Sequence, residues 1–223
     1  GCTVSRLVNI INHNISANYF GNLYSINKKT CIKVYKKYLI SLCKNLKSIG
    51  ININTIPVLD VLRKNTSKVI GNRSFSNNNE IVKKLGQITV KECHINKIVT
   101  VMKHIPGHGC ATSDSHLKMP KVNLTKNHLN RNDFFPFKKN SAKMAMTAHI
   151  LYKKIDSNNV ATFSKKIIKK IIRKKIGFKG ILITDDISMK ALKYNLIINA
   201  RKSLEAGCNL VLYCGGNIND NLK

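Results

Sequence analysis

Apolar and polar positions alternate along the chain in two rhythms. Residues 31–50, CIKVYKKYLISLCKNLKSIG, place Ile32, Tyr35, Leu39, Leu42, Leu46 and Ile49 three or four residues apart. That spacing predicts an amphipathic helix, with Gly50 as its stop. The next run, ININTIPVLDV, is β-branched and short and predicts a strand broken at Pro57. EIVKKLGQITVKECHI returns to helical spacing, and KIVTVMKH predicts the strand after it. AKMAMTAHI reads as a further strand ending at His149. SKKIIKKIIRKKIGF predicts a helix capped by Ser164, with Ile167, Ile168, Ile171 and Ile172 facing inward and Gly177 ending it. GILITDDI predicts a buried strand closing on two aspartates, SMKALKYNLIINARKSLEAG a helix up to Gly207, and CNLVLYCGG a last strand.

Strand and helix in regular alternation predict a parallel α/β architecture over one domain, residues 1–223. The ionisable clusters fall just after strands: Asp60, Lys103 with His104, His149, and Asp185 with Asp186. A (β/α)8 barrel gathers strand C-terminal ends at one mouth, where sites form. A doubly wound sheet would carry a glycine-rich phosphate loop after its first strand, and no such loop is read here.

Composition changes this picture little. The 223 residues and 43% hydrophobic content suit one globular domain. No run of 18 apolar residues occurs, so no membrane span is expected, and the absence of a basic-then-apolar leader points to the cytoplasm. Seven cysteines at irregular spacing, without a Cys-x-x-Cys pair, read as reduced thiols. The net charge of +29 raises nucleic-acid binding. The lysines are nevertheless spread over the whole chain, without an arginine block or interleaved aromatics, so no specific nucleic-acid partner is expected and a monomer is.

The densest chemistry lies in residues 103–120, KHIPGHGCATSDSHLKMP. His104, His108, Asp114, His116 and His149 are all possible ligands for zinc or iron. Pro106 and Gly107 break the helix that would put His104 and His108 on one face, so ligation would have to come from a loop. The other reading is proton transfer. Asp114 and His116 lie two apart, and in an extended loop they point the same way, so that Asp114 polarises the imidazole. Asp185, at the end of a buried strand, is placed to attack a sugar's anomeric carbon. Asp186 beside it reads as a helix cap.

Taken together, these residues resemble glycoside hydrolase family 3, in particular its bacterial β-N-acetylhexosaminidases. The loop is similar to the family's K-H-F/I-P-G-H-G…D-S-H…P motif. ININTIPVLDV, IGNRSF, MTAHILY, GFKGILITDDISMKAL and AGCNLVLYCGG agree in order and spacing. The resemblance implies a (β/α)8 barrel without cofactor or metal and a retaining exo-β-N-acetylglucosaminidase acting on GlcNAc-1,6-anhydro-MurNAc and its peptides in peptidoglycan recycling. It implies Asp185 as nucleophile, His116 as general acid/base with Asp114 as its partner, and Arg6, Arg73, Lys103 and His104 as groups that hold the sugar. His108 is expected to be a hydrogen-bonded structural histidine.

GCTVSRL resembles the end of the family's D-Q-E-G-G-R-V-x-R-L segment, with Cys2 and Thr3 replacing a glycine and an arginine. Two strands are expected ahead of this point, so the chain is read as an incomplete barrel: a fragment of a longer protein, or a decayed enzyme of weak stability and little turnover. A metal-dependent barrel hydrolase and a basic nucleic-acid-binding protein remain the rival classes.

Overall fold

The computed structural model describes residues 15–115 and 117–216. Its centre is a five-stranded sheet in the order β1 (Ile53–Asn54), β2 (Val99–Ile105), β4 (Met144–Thr147), β6 (Ile181–Asp186) and β7 (Leu210–Leu212). All four pairings are parallel. A parallel pair (β3, Lys121–Val122, with β5, Leu151–Tyr152) stands apart from it. Chain order is kept across the main sheet and never reverses. A doubly wound sheet reverses at its switch point, so this is the barrel type of α/β sheet, present as an open arc among the described residues.

Helices cover the outer face. α1 (Ala17–Ile26) and α2 (Lys28–Ser48) begin on Ser16 and Asn27, whose side chains accept the first free N–H groups of each helix. α2 buries Cys31, Tyr35, Leu39, Leu42, Cys43 and Leu46, whereas Ile49 lies outside the helix and is exposed. α3 (Asn79–Ile95) buries Val82, Leu85, Val90 and Cys93 in the same core. The short α4 (Lys126–Arg131) starts on Thr125.

The lysine-rich segment winds as a π-helix over Ile167–Ile176 and ends at Gly177, φ +82°. Ser164 Oγ accepts from the Ile167 N–H at 3.0 Å. Ile167, Ile168, Ile171, Ile172 and Ile176 are buried, each such side chain stabilising by about 1.5–3 kcal/mol. Their recurrence every four to five residues suits this wider turn as well as the expected α-helix.

Three expected elements are shorter than their patterns. The 51–61 strand is reduced to Ile53–Asn54 and one bridge from Val58 to Lys103, because Pro57 has no N–H to give the ladder. The strand before His149 stops at Thr147. The 188–207 helix begins only at Leu196, as α5 (Leu196–Ala206), capped by Asn195. Side chains hold the segment ahead of it in turns: Asp186 accepts from the Ser188 N–H and hydroxyl, and Asn199 donates to Ile187 and Tyr194 carbonyls. Asp186 therefore caps a turn, not the helix expected of it. Among the described residues no helix is long and apolar enough to cross a membrane.

Candidate active site

Lys103 and His104 lie near the C-terminal end of β2, Asp185 and Asp186 at that of β6, and β4 runs between them. The parallel sheet thus delivers the ionisable residues to one edge, although Lys103 and Asp185 are far apart in sequence.

The loop after β2 is fixed by close packing. A Cβ on Gly109 would stand 1.9 Å from the Val61 carbonyl oxygen, and one on Gly107, φ +142°, 2.8 Å from that of Asp133. Only glycine admits both approaches. The Tyr152 hydroxyl donates to Gly107 O at 2.6 Å and the Thr66 hydroxyl to Gly109 O at 2.6 Å.

Asp60 is the buried anchor beneath this loop. Its carboxylate accepts from His104 Nδ1 at 2.7 Å, from the His108 backbone N–H at 2.6 Å and from the His104 N–H at 3.3 Å. Burial opposes its charge, but His104 and His108 outweigh that and hold the carboxyl below the usual carboxylate range. The opposite nitrogen of His104, Nε2, stands 3.8 Å from Asp185 Oδ2. One imidazole thus bridges two carboxylates, one sealed from solvent and one facing the edge of the sheet.

Asp185 keeps its charge in the same way. Burial would raise its carboxyl, and His104, His149, the Asp186 N–H and Lys103 bring it below its ordinary value. Asp185 Oδ1 accepts that N–H at 2.9 Å. Lys103 donates from Nζ to Thr55 Oγ1 at 3.2 Å. Burial first, then the nearby Arg73 charge, push the Lys103 ammonium down to about 8. Arg73 sits on the 3-10 turn Gly71–Arg73 and donates to the Val69 carbonyl. Arg73, Lys103, His104 and Asp185 thus form one electrostatic neighbourhood.

The loop carrying Asp114 is drawn toward the residues after β6. The Ser115 carbonyl accepts from the Ala191 N–H at 3.1 Å. Asp114 is half-buried, and its carbonyl accepts from the Leu117 and Lys118 N–H groups. His116 and Arg6 lie outside the described residues.

His108 is deeply buried and held by its backbone; Nε2 lies 3.4 Å from Ser115 Oγ, and Nδ1 has no partner among the described residues. Burial and then the His104 charge push its imidazole down to about 4. It fills the loop as expected of a structural histidine, with half the hydrogen bonding.

His149 and Asp60 appear at strand ends in the sequence, but what they do there does not. Both nitrogens of His149 are taken, Nδ1 by Thr162 Oγ1 at 2.7 Å and Nε2 by the Asp186 carbonyl at 3.0 Å. Among the described residues no three His, Cys, Asp or Glu side chains converge as a metal site requires.

The family model of the glycosyl hydrolase family 3 N-terminal domain matches residues 20–222. A β-hexosaminidase from Neisseria meningitidis serogroup A / serotype 4A is 36% identical over 178 residues, 78% of this chain and 49% of its own length. NagZ from Neisseria gonorrhoeae, solved in complex with N-trifluoroacetyl-D-glucosamine, superposes with a TM-score of 0.82 at 32% identity, over 90% of this chain and 58% of that one. The same protein was also solved in complex with zinc ion, with a TM-score of 0.80 at 31% identity, over 90% of this chain and 58% of that one. The chain spans about half the length of such curated relatives, from 31% to 57%. With the family model matching most of its length and the strand order that of a barrel-type sheet, the chain belongs to glycosyl hydrolase family 3, and what it carries is that family's N-terminal barrel-type domain.

Proposed function

We propose that this chain is the catalytic domain, a single unit over residues 1–223, of a retaining exo-β-N-acetylglucosaminidase. The observation that carries the reading is the Asp185 carboxylate. It is held ionised at the C-terminal end of β6, with His104 Nε2 at 3.8 Å and Lys103 in the same field. A charged, largely buried carboxylate beside groups able to hold sugar hydroxyls is what a glycosidase nucleophile requires.

In the reaction, a carboxylate oxygen of Asp185 bonds to the anomeric carbon as the bond from that carbon to the leaving oxygen breaks. The imidazolium of His116, oriented by Asp114, gives its proton to the leaving oxygen. Water then attacks the anomeric carbon of the glycosyl ester, His116 takes the water proton, and Asp185 departs as carboxylate. Lys103, His104, Arg73 and Arg6 hold the sugar hydroxyls. The substrate of this reading is a terminal GlcNAc on 1,6-anhydro-MurNAc or its peptides, met in the cytoplasm by a monomeric enzyme. The β-hexosaminidase name of the relatives and the bound glucosamine derivative of NagZ support the sugar class.

The test is hydrolysis of 4-nitrophenyl β-N-acetylglucosaminide and of an unactivated disaccharide. Asp185→Ala is expected to lower kcat roughly 10³-fold or more on both, with the fold intact. His116→Ala is expected to spare the nitrophenyl substrate and fail on the disaccharide, because only the poor leaving group needs a proton. Equal losses on the two substrates would remove His116 from the acid role.

A further inference from the structure

Asp185 is placed by its neighbour. Its Oδ1 accepts the Asp186 N–H, while the Asp186 carboxylate accepts from Ser188 and from the Cys214 N–H at 3.1 Å. The β6–β7 register shifts between Ile183 and Asp186. Beyond that shift Asp186 pairs with Leu212 and the Ile187 N–H donates to the Leu212 carbonyl, so the ladder holds this backbone from the β7 side. A buried side chain reaches the Asp186 carbonyl itself: His149 Nε2, 3.0 Å from its oxygen.

A carbonyl only accepts, so Nε2 carries the hydrogen and donates it. With His149 neutral, Nδ1 then accepts the Thr162 hydroxyl at 2.7 Å, a closer acceptor for that one hydrogen than the Ala148 carbonyl at 3.3 Å. Thr162 Oγ1 in turn lies 2.9 Å from Thr147 Oγ1, so the Thr147 hydroxyl completes the chain by donating to it. Thr147, His149 and Thr162 are all buried. Burial works first against an imidazolium at His149, more strongly than the Asp185 charge favours one.

We infer that His149 is a positioning residue for the proposed nucleophile: fixed in one tautomer by Thr162, it pins Asp186 and, through the Asp186 N–H, aims the Asp185 carboxylate. This rests on Asp185 being the nucleophile. His149 touches neither sugar nor water in the reaction, and its donor tautomer is set by a hydroxyl because a hydroxyl, unlike a second carboxylate, leaves it neutral.

The test compares His149→Gln with His149→Asn in the full protein. A glutamine amide can put an N–H where Nε2 stands, whereas asparagine is too short to reach Asp186. His149→Asn is expected to lose about 10²-fold in kcat with KM nearly unchanged, and His149→Gln to recover most of it, at similar Tm in both. Equal kcat in the two variants would overturn the inference. Thr162→Val serves should the asparagine variant not fold: it removes the donor that sets the tautomer, is expected to lower kcat selectively, and an unchanged kcat would also overturn it. Nitrogen NMR of the wild-type ring decides independently of turnover. A neutral Nε2–H ring is expected at about pH 7, and an Nδ1–H ring or a doubly protonated ring there would refute it. If Asp185→Ala leaves turnover intact, the proposed function fails, and the NMR result still rules on His149.

Discussion

At the scale of the residue, the site is an exchange of charge between groups taken out of water. Asp60 and Asp185 stay ionised because His104 stands between them, and Lys103 yields part of its basicity to burial and to Arg73. Burial and Arg73 push the Lys103 ammonium down to about 8, so the cationic grip on a sugar hydroxyl proposed for it would be present below that pH and fade above it. The kcat/KM of hydrolysis is therefore expected to fall as pH rises through this value, with the limb moved upward in Lys103→Arg, whose guanidinium stays charged. A pH–rate profile for the two proteins checks this; an unmoved limb would assign it to another group. Asp185, Lys103 and His104 were legible in the sequence because each stands at the end of an apolar strand run. The bond from His104 to Asp60, 44 residues away, and the engagement of His149 were not, since neither has a local spacing signal.

At the scale of the element, loop geometry decides whether the strand ends converge. The loop after β2 is closed by two glycines packed against backbone atoms, and its hold on Val61 is the tighter. Gly109→Ala is expected to cost about 2–3 kcal/mol, because backbone must move. Gly50→Ala, in open space at φ +80°, is expected to cost only about 1 kcal/mol. Urea unfolding of both variants measures the contrast, and comparable losses would show that the loop yields. The helices α2 and α3 and the isoleucine-faced π-helix were legible from periodicity. The wider winding of the last was not, because its isoleucine spacing fits either turn. The late start of α5 was hidden because SMKALKYN is helical in composition, while Asp186 and Asn199 hold that stretch in turns.

At the scale of the molecule, the parallel, unreversed strand order brings residues from distant segments to one edge and leaves the helices outside. That order follows from strand–helix alternation, so the architecture could be read before any side chain was placed. What the sequence could not carry is the closeness of the groups across the sheet: His104 and Asp185 meet only because β4 sets β2 and β6 two strands apart. The central claim is that Asp185 bonds covalently to the sugar in turnover. Mass spectrometry of the acid-quenched protein during steady-state hydrolysis of 4-nitrophenyl β-N-acetylglucosaminide tests it most directly. The account predicts an N-acetylhexosaminyl adduct on the peptide that contains Asp185, absent in Asp185→Ala. Turnover without any adduct, or an adduct on another residue, would contradict it.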